Sequence, residues 1–253
     1  MSWKHAGSTV TGRSHADRGE HGQDYHRAGT LQITDTAYFI GLVADGAGST
    51  TDGGRGAEIA CGTVWSAIVE SLRGALDPAT FPDETVQGWA AAARDAICTE
   101  AAAAGRRPRD YACTLLGAVA APAGAVFFQI GDGAIVVRAA EEYATIFWPE
   151  QGEYANTTFF LSDEEYAEHL MIHRSETAPR EIALFTDGLQ TLALSFAVKK
   201  AHPGFFQPLF DAVRKDPGND FSTISRQLDR FLLRDDVSAR SDDDKTLVLA
   251  VRV

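Results

Sequence analysis

The chain has 253 residues, of which 45% are hydrophobic and 23% are charged. These proportions are typical of globular proteins and exclude a disordered chain, and the length suits one large domain or two small ones. Acidic residues outnumber basic residues by 35 to 23, and the resulting net charge of −12 disfavours general binding to nucleic acid because it repels phosphate backbones.

The first half of the chain predicts an edge strand and a loop, then a buried strand, then two helices. The first 30 residues are rich in Gly, His, Ser and Thr and indicate the edge strand and loop. Residues 37–44 are apolar and lead directly into an Asp-Gly-Ala-Gly-Ser turn, which is typical of a buried strand. Helical spacing of apolar residues predicts a helix over residues 55–76, and two prolines separate it from an alanine-rich helix over residues 83–104.

The second half predicts a dense run of strands followed by helices. Gly131-Asp132-Gly133 predicts a turn between two of the strands, and residues 189–233 are mainly helical in pattern. The predicted strands are residues 114–121, 125–130, 134–139, 143–148, 157–161, 182–185 and 246–253. Because this order is not a regular βαβ alternation, we expect an antiparallel α+β fold in a single domain that spans residues 1–253.

Cysteine usage and the lack of a long apolar segment predict a cytoplasmic protein. The three cysteines are an odd number without a CxxC pair, which argues against a disulfide framework or a zinc knuckle and favours reduced thiols. The N-terminus has no apolar signal-peptide core. The longest apolar stretch, residues 115–128, is interrupted by glycine and proline and indicates two strands and a turn, so we expect no membrane partner.

Four aspartates share one local setting, at the end of a predicted strand, and three of them stand beside a glycine. Any single Asp-Gly pair is most often only a turn, but four such positions in one chain favour a site. Carboxylates that converge without partners repel each other and persist only if they are protonated or neutralised by a cation. Oxygen-only ligands indicate Mg²⁺ or Mn²⁺ rather than zinc. The four are Asp45, Asp132, Asp187 and Asp243.

Six short motifs occur in the order in which they stand in one enzyme family. They are Ser14-His15 through Gln23-Asp24, residues 43–49 around Asp45-Gly46, Cys113-Thr114-Leu115, residues 129–133 around Asp132, residues 184–189 around Asp187-Gly188, and Asp243-Asp244-Lys245-Thr246. Together they resemble the metal-dependent serine/threonine protein phosphatases of type 2C, in particular their short bacterial branch. The resemblance implies a four-layer α/β/β/α sandwich with two antiparallel sheets, and a variable flap over about residues 189–242.

The resemblance also implies a centre that holds two Mn²⁺ or Mg²⁺ ions and a weaker third ion. Asp45 would bridge the two ions, and the backbone carbonyl of Gly46 would bind one of them. Asp187 and Asp243 would complete the ligands of the other ion, and Asp132 would help to hold the third ion. Two such ions would turn a shared water into a hydroxide nucleophile and neutralise the phosphate during in-line attack.

The remaining catalytic candidates lie in the opening motif. Asp24 would orient a metal-bound water, and Arg18, six residues earlier, is the candidate for binding the substrate phosphate. Some relatives carry a histidine after Asp-Gly as a proposed general acid, but this chain has Ala47 there, so His15 or His21 is the candidate for that role.

These inferences predict a phosphatase that acts on phosphoserine and phosphothreonine in proteins and opposes a bacterial Ser/Thr kinase. The last motif carries Asp244 where the family has Asn, and this extra carboxylate either sharpens metal affinity or faces solvent. Because Ala47 and Arg18 depart from the family pattern, a catalytically weak or inactive regulatory protein with the same fold stays an alternative. A two-metal phosphodiesterase is a further alternative, although no matching histidine spacing occurs.

Overall fold

The structure is a computed structural model that describes residues 2–74, 77–149, 158–217 and 222–253. In these ranges the strands are β1 (Trp3–Val10), β2 (Tyr25–Ile33), β3 (Thr36–Ala44), β4 (Leu115–Ala121), β5 (Gly124–Ile130), β6 (Ala134–Ala139), β7 (Glu142–Thr145), β8 (Met171–Ser175), β9 (Glu181–Phe185), β10 (Leu194–Ser195), β11 (Lys200–Ala201) and β12 (Lys245–Arg252). The α-helices are α1 (Arg13–Ala16), α2 (Gly53–Leu72), α3 (Asp83–Ala103), α4 (Gln190–Ala193), α5 (Pro203–Lys215), α6 (Ser222–Leu232) and α7 (Asp235–Ser238). Short 3₁₀ turns occupy Pro78–Thr80, Pro108–Tyr111, Tyr166–His169 and Asp187–Leu189.

The described strands form two five-stranded sheets and one small hairpin. The first sheet has the order β1-β12-β9-β6-β7, and the second has the order β2-β3-β4-β5-β8. All neighbouring strands run antiparallel, and β10 pairs with β11 in the hairpin. No helix in the described ranges has the length and apolar character needed to cross a bilayer.

Three layers of apolar packing hold the sheets and helices together. Phe39, Phe127 and Leu184 belong to a cluster between the two sheets. A second cluster packs α2 and α3 on the outer face of the second sheet, and a third packs α5 and α6 on the outer face of the first. β4 and β5 are buried along their whole length, which explains their continuous apolar sequences. The predicted α/β/β/α sandwich is confirmed.

Several predicted elements differ in extent from the structure. Most of β2 lies in a segment that the sequence predicts as loop. The strand is half-exposed and carries Gly, Thr and His rather than an apolar run, so its sequence lacks the pattern of a buried strand. The strand predicted over 143–148 is only Glu142–Thr145. The strand predicted over 157–161 begins at a residue outside the described ranges, and residues 158–161 are not a strand. The helices predicted over 55–76 and 189–233 likewise include residues outside those ranges, namely 75–76 and 218–221.

The turn at Gly131-Asp132-Gly133 connects the two sheets and does not close a hairpin. β5 pairs with β4 and β8, whereas β6 pairs with β7 and β9 in the other sheet. Gly131 has φ +98°, a left-handed conformation that glycine adopts without strain. The chain therefore crosses from one sheet to the other at Asp132, which places this carboxylate between them.

One edge of the sandwich collects the strand ends that carry the predicted site. In the second sheet the start of β2 is opposite the end of β3, since Tyr25 pairs with Ala44. In the first sheet the end of β9 is opposite the start of β12, since Phe185 pairs with Leu247. Residues that follow β3 and β9, or precede β2 and β12, therefore meet at this edge.

Candidate metal centre

A pocket of about 160 Å³ opens at this edge between the two sheets. It is lined by Asp45, Asp132, Asp187 and Asp243, by residues 46–48, by His15, and by Thr114, Thr158 and Phe160. The structure thus brings together all five residues that the sequence predicted as metal ligands, together with one predicted catalytic residue.

Asp45 is held at the pocket by the strand that faces it. Its backbone N–H donates to Oγ1 of Thr114 at 2.9 Å, and the N–H of Thr114 donates back to the Asp45 carbonyl at 2.8 Å. Gly46 forms a single bridge with Cys113. A Cβ at Gly46 would stand 2.3 Å from the carbonyl carbon of Gly53, so only glycine allows this turn to pack against the start of α2.

The carboxylates raise one another's pKa. Burial raises the pKa of Asp45 well above its usual value, and the charges of Asp24, Asp187 and Asp243 raise it further. Burial raises the pKa of Asp187 to about 7, with contributions from Asp132 and Asp243. Each added negative charge at the pocket makes the next one more costly, which is the electrostatic condition that a bound cation relieves.

Asp24 stands behind Asp45 and does not line the pocket. Burial raises its pKa to about 7, while a hydrogen bond from Thr186 opposes the shift. A carboxyl–carboxyl contact with Asp24 also raises the pKa of Asp45. Asp24 is therefore placed to act on the pocket through Asp45.

The donor chemistry of the pocket suits a hard divalent cation. Its charged lining is carboxylate oxygen, and Oδ1 of Asp24 and Oδ1 of Asp187 are buried without a hydrogen-bond donor. Among the described residues no three His, Cys, Asp or Glu side chains stand in a ready-made metal-binding arrangement, although four aspartates line the one pocket. The residues present fit such an ion by their chemistry and convergence.

Asp132 and Asp187 line the pocket from different connections, and the charge of Asp132 raises the pKa of Asp187. Thr158 donates from Oγ1 to Oδ2 of Asp132 at 2.6 Å, and Nε2 of Gln190 donates to the Asp132 carbonyl. These two contacts fix the crossover turn between the sheets and hold Asp132 in the lining of the pocket.

Asp244 is buried beside the pocket and holds the opening segment of the chain in place. Its side chain is 3% exposed and is not part of the pocket lining. It accepts hydrogen bonds from the backbone N–H of Gly12 at 2.7 Å and of Gln23 at 2.6 Å, and its Oδ1 lies 3.0 Å from Nδ1 of His15. The expectation that it faces solvent is wrong, because it anchors the opening segment of the chain to the start of β12.

Of the histidine and arginine candidates in the opening segment, one lies at the pocket and two lie outside it. His15 is 4% exposed and lines the pocket. Arg18 is about half exposed, pairs with Glu20 at 2.7 Å and does not reach the pocket. His21 is exposed as well. The structure thus gives no support for the expected contact between Arg18 and the substrate phosphate, because its guanidinium is held at the surface.

Sequence reasoning missed the threonines that hold the acids in place. Thr186 and Thr246 bond Asp24, Thr114 holds the Asp45 turn, and Thr158 bonds Asp132. Three of them stand inside the motifs quoted above, next to or near an aspartate, and this adjacency was the available signal. Thr158 lies outside every motif, and nothing in its local sequence marks it.

Comparisons with known proteins agree with the motifs. The family model described as protein phosphatase 2C matches residues 11–233. Serine/threonine-protein phosphatase 3 of Escherichia coli (strain K12) is 32% identical over 252 residues, covering 99% of each chain.

Solved structures share the fold at low sequence identity. The catalytic domain of the serine threonine protein phosphatase PstP, in complex with 2 manganese ions, gives a TM-score of 0.61 at 15% identity and covers 98% of this chain and 97% of that one. Serine/threonine phosphatase Stp1 from Staphylococcus aureus gives a TM-score of 0.59 at 14% identity, covering 98% and 94%. With the family model spanning residues 11–233, the resemblance seen in the six motifs is confirmed: the chain belongs to the protein phosphatase 2C family and is a phosphoprotein phosphatase.

Proposed function

We propose that the chain hydrolyses phosphoserine and phosphothreonine in proteins with Mn²⁺ or Mg²⁺ bound in the aspartate pocket. The observation that carries the proposal is the charge of the pocket, which is lined by four carboxylates and, among the described residues, by no lysine or arginine. Such a surface repels a phosphate group, so bound cations must supply the attraction that this chain's side chains do not.

The proposed ligands follow from how the acids are arranged. Asp45 interacts with Asp24, Asp187 and Asp243 at once, which suits a carboxylate that bridges two ions. Asp187 and Asp243 would complete the ligands of one ion, and the backbone carbonyl of Gly46 would bind the other ion. Asp132, whose charge raises the pKa of Asp187, would help to hold a third. When bound, such ions lower the pKa of a shared water and neutralise phosphate oxygens.

The protein's own contribution is positioning. Asp24, buried behind Asp45 and bonded by Thr186, would act through Asp45 to orient a water for attack on phosphorus. Thr114 and the bridge from Gly46 to Cys113 hold the Asp45 carboxylate at a fixed depth. Because both sheets contribute ligands to one pocket, we also propose that residues 1–253 act as a single phosphatase domain.

The cellular setting is part of the proposal. Cys61, Cys98 and Cys113 are all free thiols, and two of them are buried, which fits a reducing compartment such as the cytoplasm. A phosphoprotein phosphatase requires a kinase that supplies its substrate, so we propose that this chain reverses a Ser/Thr kinase in the same cell. A regulatory protein without turnover is less favoured, because the complete acid set is retained at the pocket.

One assay tests the proposal directly. Hydrolysis of p-nitrophenyl phosphate and of a phosphothreonine peptide is followed after treatment with EDTA, and again after Mn²⁺ or Mg²⁺ is added back. Metal-dependent turnover of both substrates is expected. Metal binding without turnover would establish the regulatory alternative, and preferential cleavage of bis(p-nitrophenyl) phosphate would establish a phosphodiesterase.

A further inference from the structure

His15 places an unpartnered ring nitrogen at the pocket. The residue belongs to α1, a single helical turn, and only 4% of its surface is exposed. Its Nε2 atom is buried without a hydrogen-bond partner, while the ring lines the same pocket as Asp45 and Asp243. A buried polar atom left unpaired is costly unless another state of the site uses it, so Nε2 requires a functional explanation.

The other ring nitrogen fixes the direction of Nε2. Two backbone N–H groups, those of Gly12 and Gln23, donate to the Asp244 carboxylate at 2.7 and 2.6 Å. Because backbone N–H groups only donate, Asp244 acts as an acceptor, and Nδ1 of His15, at 3.0 Å, must carry the proton that completes the set. The ring is therefore held by Nδ1–H, and Nε2 is the atom left to exchange a proton with the pocket.

Among the described residues that line the pocket, His15 supplies the free ring nitrogen, whereas the hydroxyls of Thr114 and Thr158 are hydrogen-bonded to Asp45 and Asp132. Ala47 lines the pocket and carries no proton to donate. His21 is exposed, and Arg18 is paired with Glu20 at the surface. The loop that contains Gly48 lies beside the ring, since a Cβ built on Gly48 would be 3.8 Å from Nε2 of His15. His15 thus borders the same loop that carries Gly46.

We propose that His15, oriented by Asp244, is the general acid that protonates the leaving seryl or threonyl oxygen. The inference rests on the proposed phosphatase function. As water attacks phosphorus, the bond from phosphorus to the side-chain oxygen breaks, and the proton on Nε2 of His15 passes to that oxygen. The products are the free hydroxyl and inorganic phosphate, which keeps the oxygen of the attacking water and releases the surplus proton to solvent, and the neutral ring regains a proton from solvent through the mouth of the pocket. His15 is the catalytic residue, and Asp244 is its positioning residue.

The leaving group provides the test, because a general acid matters only when the departing oxygen is basic. Nitrophenolate leaves without a proton, whereas a threonyl alkoxide does not. The variants are H15Q, D244N and, as a matched control, H21Q, which changes an exposed histidine of the same segment. Each is assayed at saturating Mn²⁺ on p-nitrophenyl phosphate and on a phosphothreonine peptide, with the Mn²⁺-induced rise in melting temperature as the check on folding and metal binding.

We expect H15Q to lower kcat on the peptide by about 100-fold or more and to lower kcat on p-nitrophenyl phosphate by less than about 5-fold. D244N should show the same selectivity for the poor leaving group to a smaller degree, and H21Q should behave as the unaltered chain. If the role of His15 were purely structural, kcat would fall by the same factor on both substrates. The ratio of the two losses in kcat therefore distinguishes a general acid from a structural residue. If D244N does not fold, H15Q alone still decides the matter.

Three results would overturn the inference while leaving the phosphatase function intact. They are equal losses on both substrates in H15Q, no loss on the peptide, and a raised Mn²⁺ requirement without leaving-group selectivity, which would make His15 a ligand. The proposed function fails separately, if the unaltered chain turns over neither substrate with added metal, and the inference then fails with it.

Discussion

The hydroxyl of Thr186 donates a 2.7 Å hydrogen bond to Oδ2 of Asp24 and accepts the backbone N–H of Thr246 at 3.0 Å. One side chain at the end of β9 thereby joins β12 to the residue that precedes β2. Asp24 is buried behind Asp45, so its position depends on this contact between the two sheets.

Replacing Thr186 by valine should weaken both the fold and the site. The variant keeps the shape of the side chain but leaves a buried carboxyl oxygen and a buried N–H without their partner. We expect the free energy of unfolding to fall by about 1–3 kcal/mol. Metal affinity or kcat should fall by about 10-fold to 100-fold, as for other residues that support ligands. Urea unfolding at saturating Mn²⁺ and steady-state kinetics measure the two effects.

Thr186→Ser is the matched control for that experiment, because it retains the hydroxyl and loses only a methyl group. It should keep most of the activity. Equal loss of activity in the serine and valine variants would show that the methyl group, rather than the hydrogen bond to Asp24, matters.

Asp45→Asn should separate stability from activity. Burial and the charges of Asp24, Asp187 and Asp243 make the ionised form of this aspartate unfavourable. A neutral side chain of the same shape therefore relieves repulsion in the metal-free chain. We expect a metal-free melting temperature equal to or above that of the unaltered chain, and a loss of turnover of at least about 100-fold because the carboxylate proposed to bind both ions is gone. Near-normal turnover with Mn²⁺ would remove Asp45 from the proposed centre.

The metal-induced gain in stability should increase with pH. Asp24 and Asp187 have folded pKa values of about 7 against usual values of 3.8, so the folded metal-free chain retains protons that the unfolded chain has released. Their contribution to the metal-free fold is complete below about pH 4 and is lost as the pH rises through about 7. A bound cation cancels this loss, so the rise in melting temperature on adding Mn²⁺ should be larger at pH 8 than at pH 5.5.

The measurement is the difference in melting temperature between the same chain in Mn²⁺ and in EDTA. Groups that titrate identically in both conditions cancel in this difference. His5, whose pKa burial lowers to about 4, affects stability in the opposite direction but does so in both conditions. Asp24→Asn should reduce the pH dependence of the Mn²⁺ effect. A metal effect that is the same at both pH values would contradict the proposed electrostatic origin.

Two glycines of α2 should respond oppositely to alanine. A Cβ at Gly56 would stand 2.0 Å from the backbone carbonyl oxygen of Tyr111, whereas a Cβ at Gly62 meets nothing within 4 Å. Gly56→Ala should lower the free energy of unfolding by about 1–3 kcal/mol, because α2 must move away from the backbone of Tyr111 to make room for the added methyl group. Gly62→Ala should raise it by about 0.5–1 kcal/mol through helix propensity. Chemical denaturation of both variants measures the contrast, and similar effects would show that α2 does not pack this closely.

The aspartates of the site could be predicted because their position depends on local patterns. Asp45 and Asp187 directly follow buried apolar strands, and antiparallel pairing places such strand ends at a common edge. That logic extends to Asp243 before β12. The layered fold could also be predicted, from the order of the apolar runs and the helical periodicity. The elements with the most apolar residues were the ones whose extents were predicted best.

The contacts made by long-range pairing could not be predicted. The partners of Asp244 are Gly12, His15 and Gln23, which lie at the opposite end of the chain, and an Asp-Asp pair before a strand gives no sign of them. Arg18 sits close to Asp24 in sequence, yet local pairing with Glu20 keeps it at the surface. β2 escaped detection because a half-exposed strand has little apolar periodicity.

The pairing of β1 with β12 also limits when the first sheet can be completed during synthesis. β1 has β12 as its hydrogen-bonded neighbour in the sheet, from Trp3 opposite Arg252 to Val10 opposite Lys245. On the ribosome β1 emerges nearly a whole chain length before that neighbour, and Asp243 and Asp244 emerge only just ahead of it. A nascent chain from which β12 has not yet emerged therefore lacks the strand that pairs with β1, and its pocket lacks Asp243, so the pocket can be completed only late in synthesis.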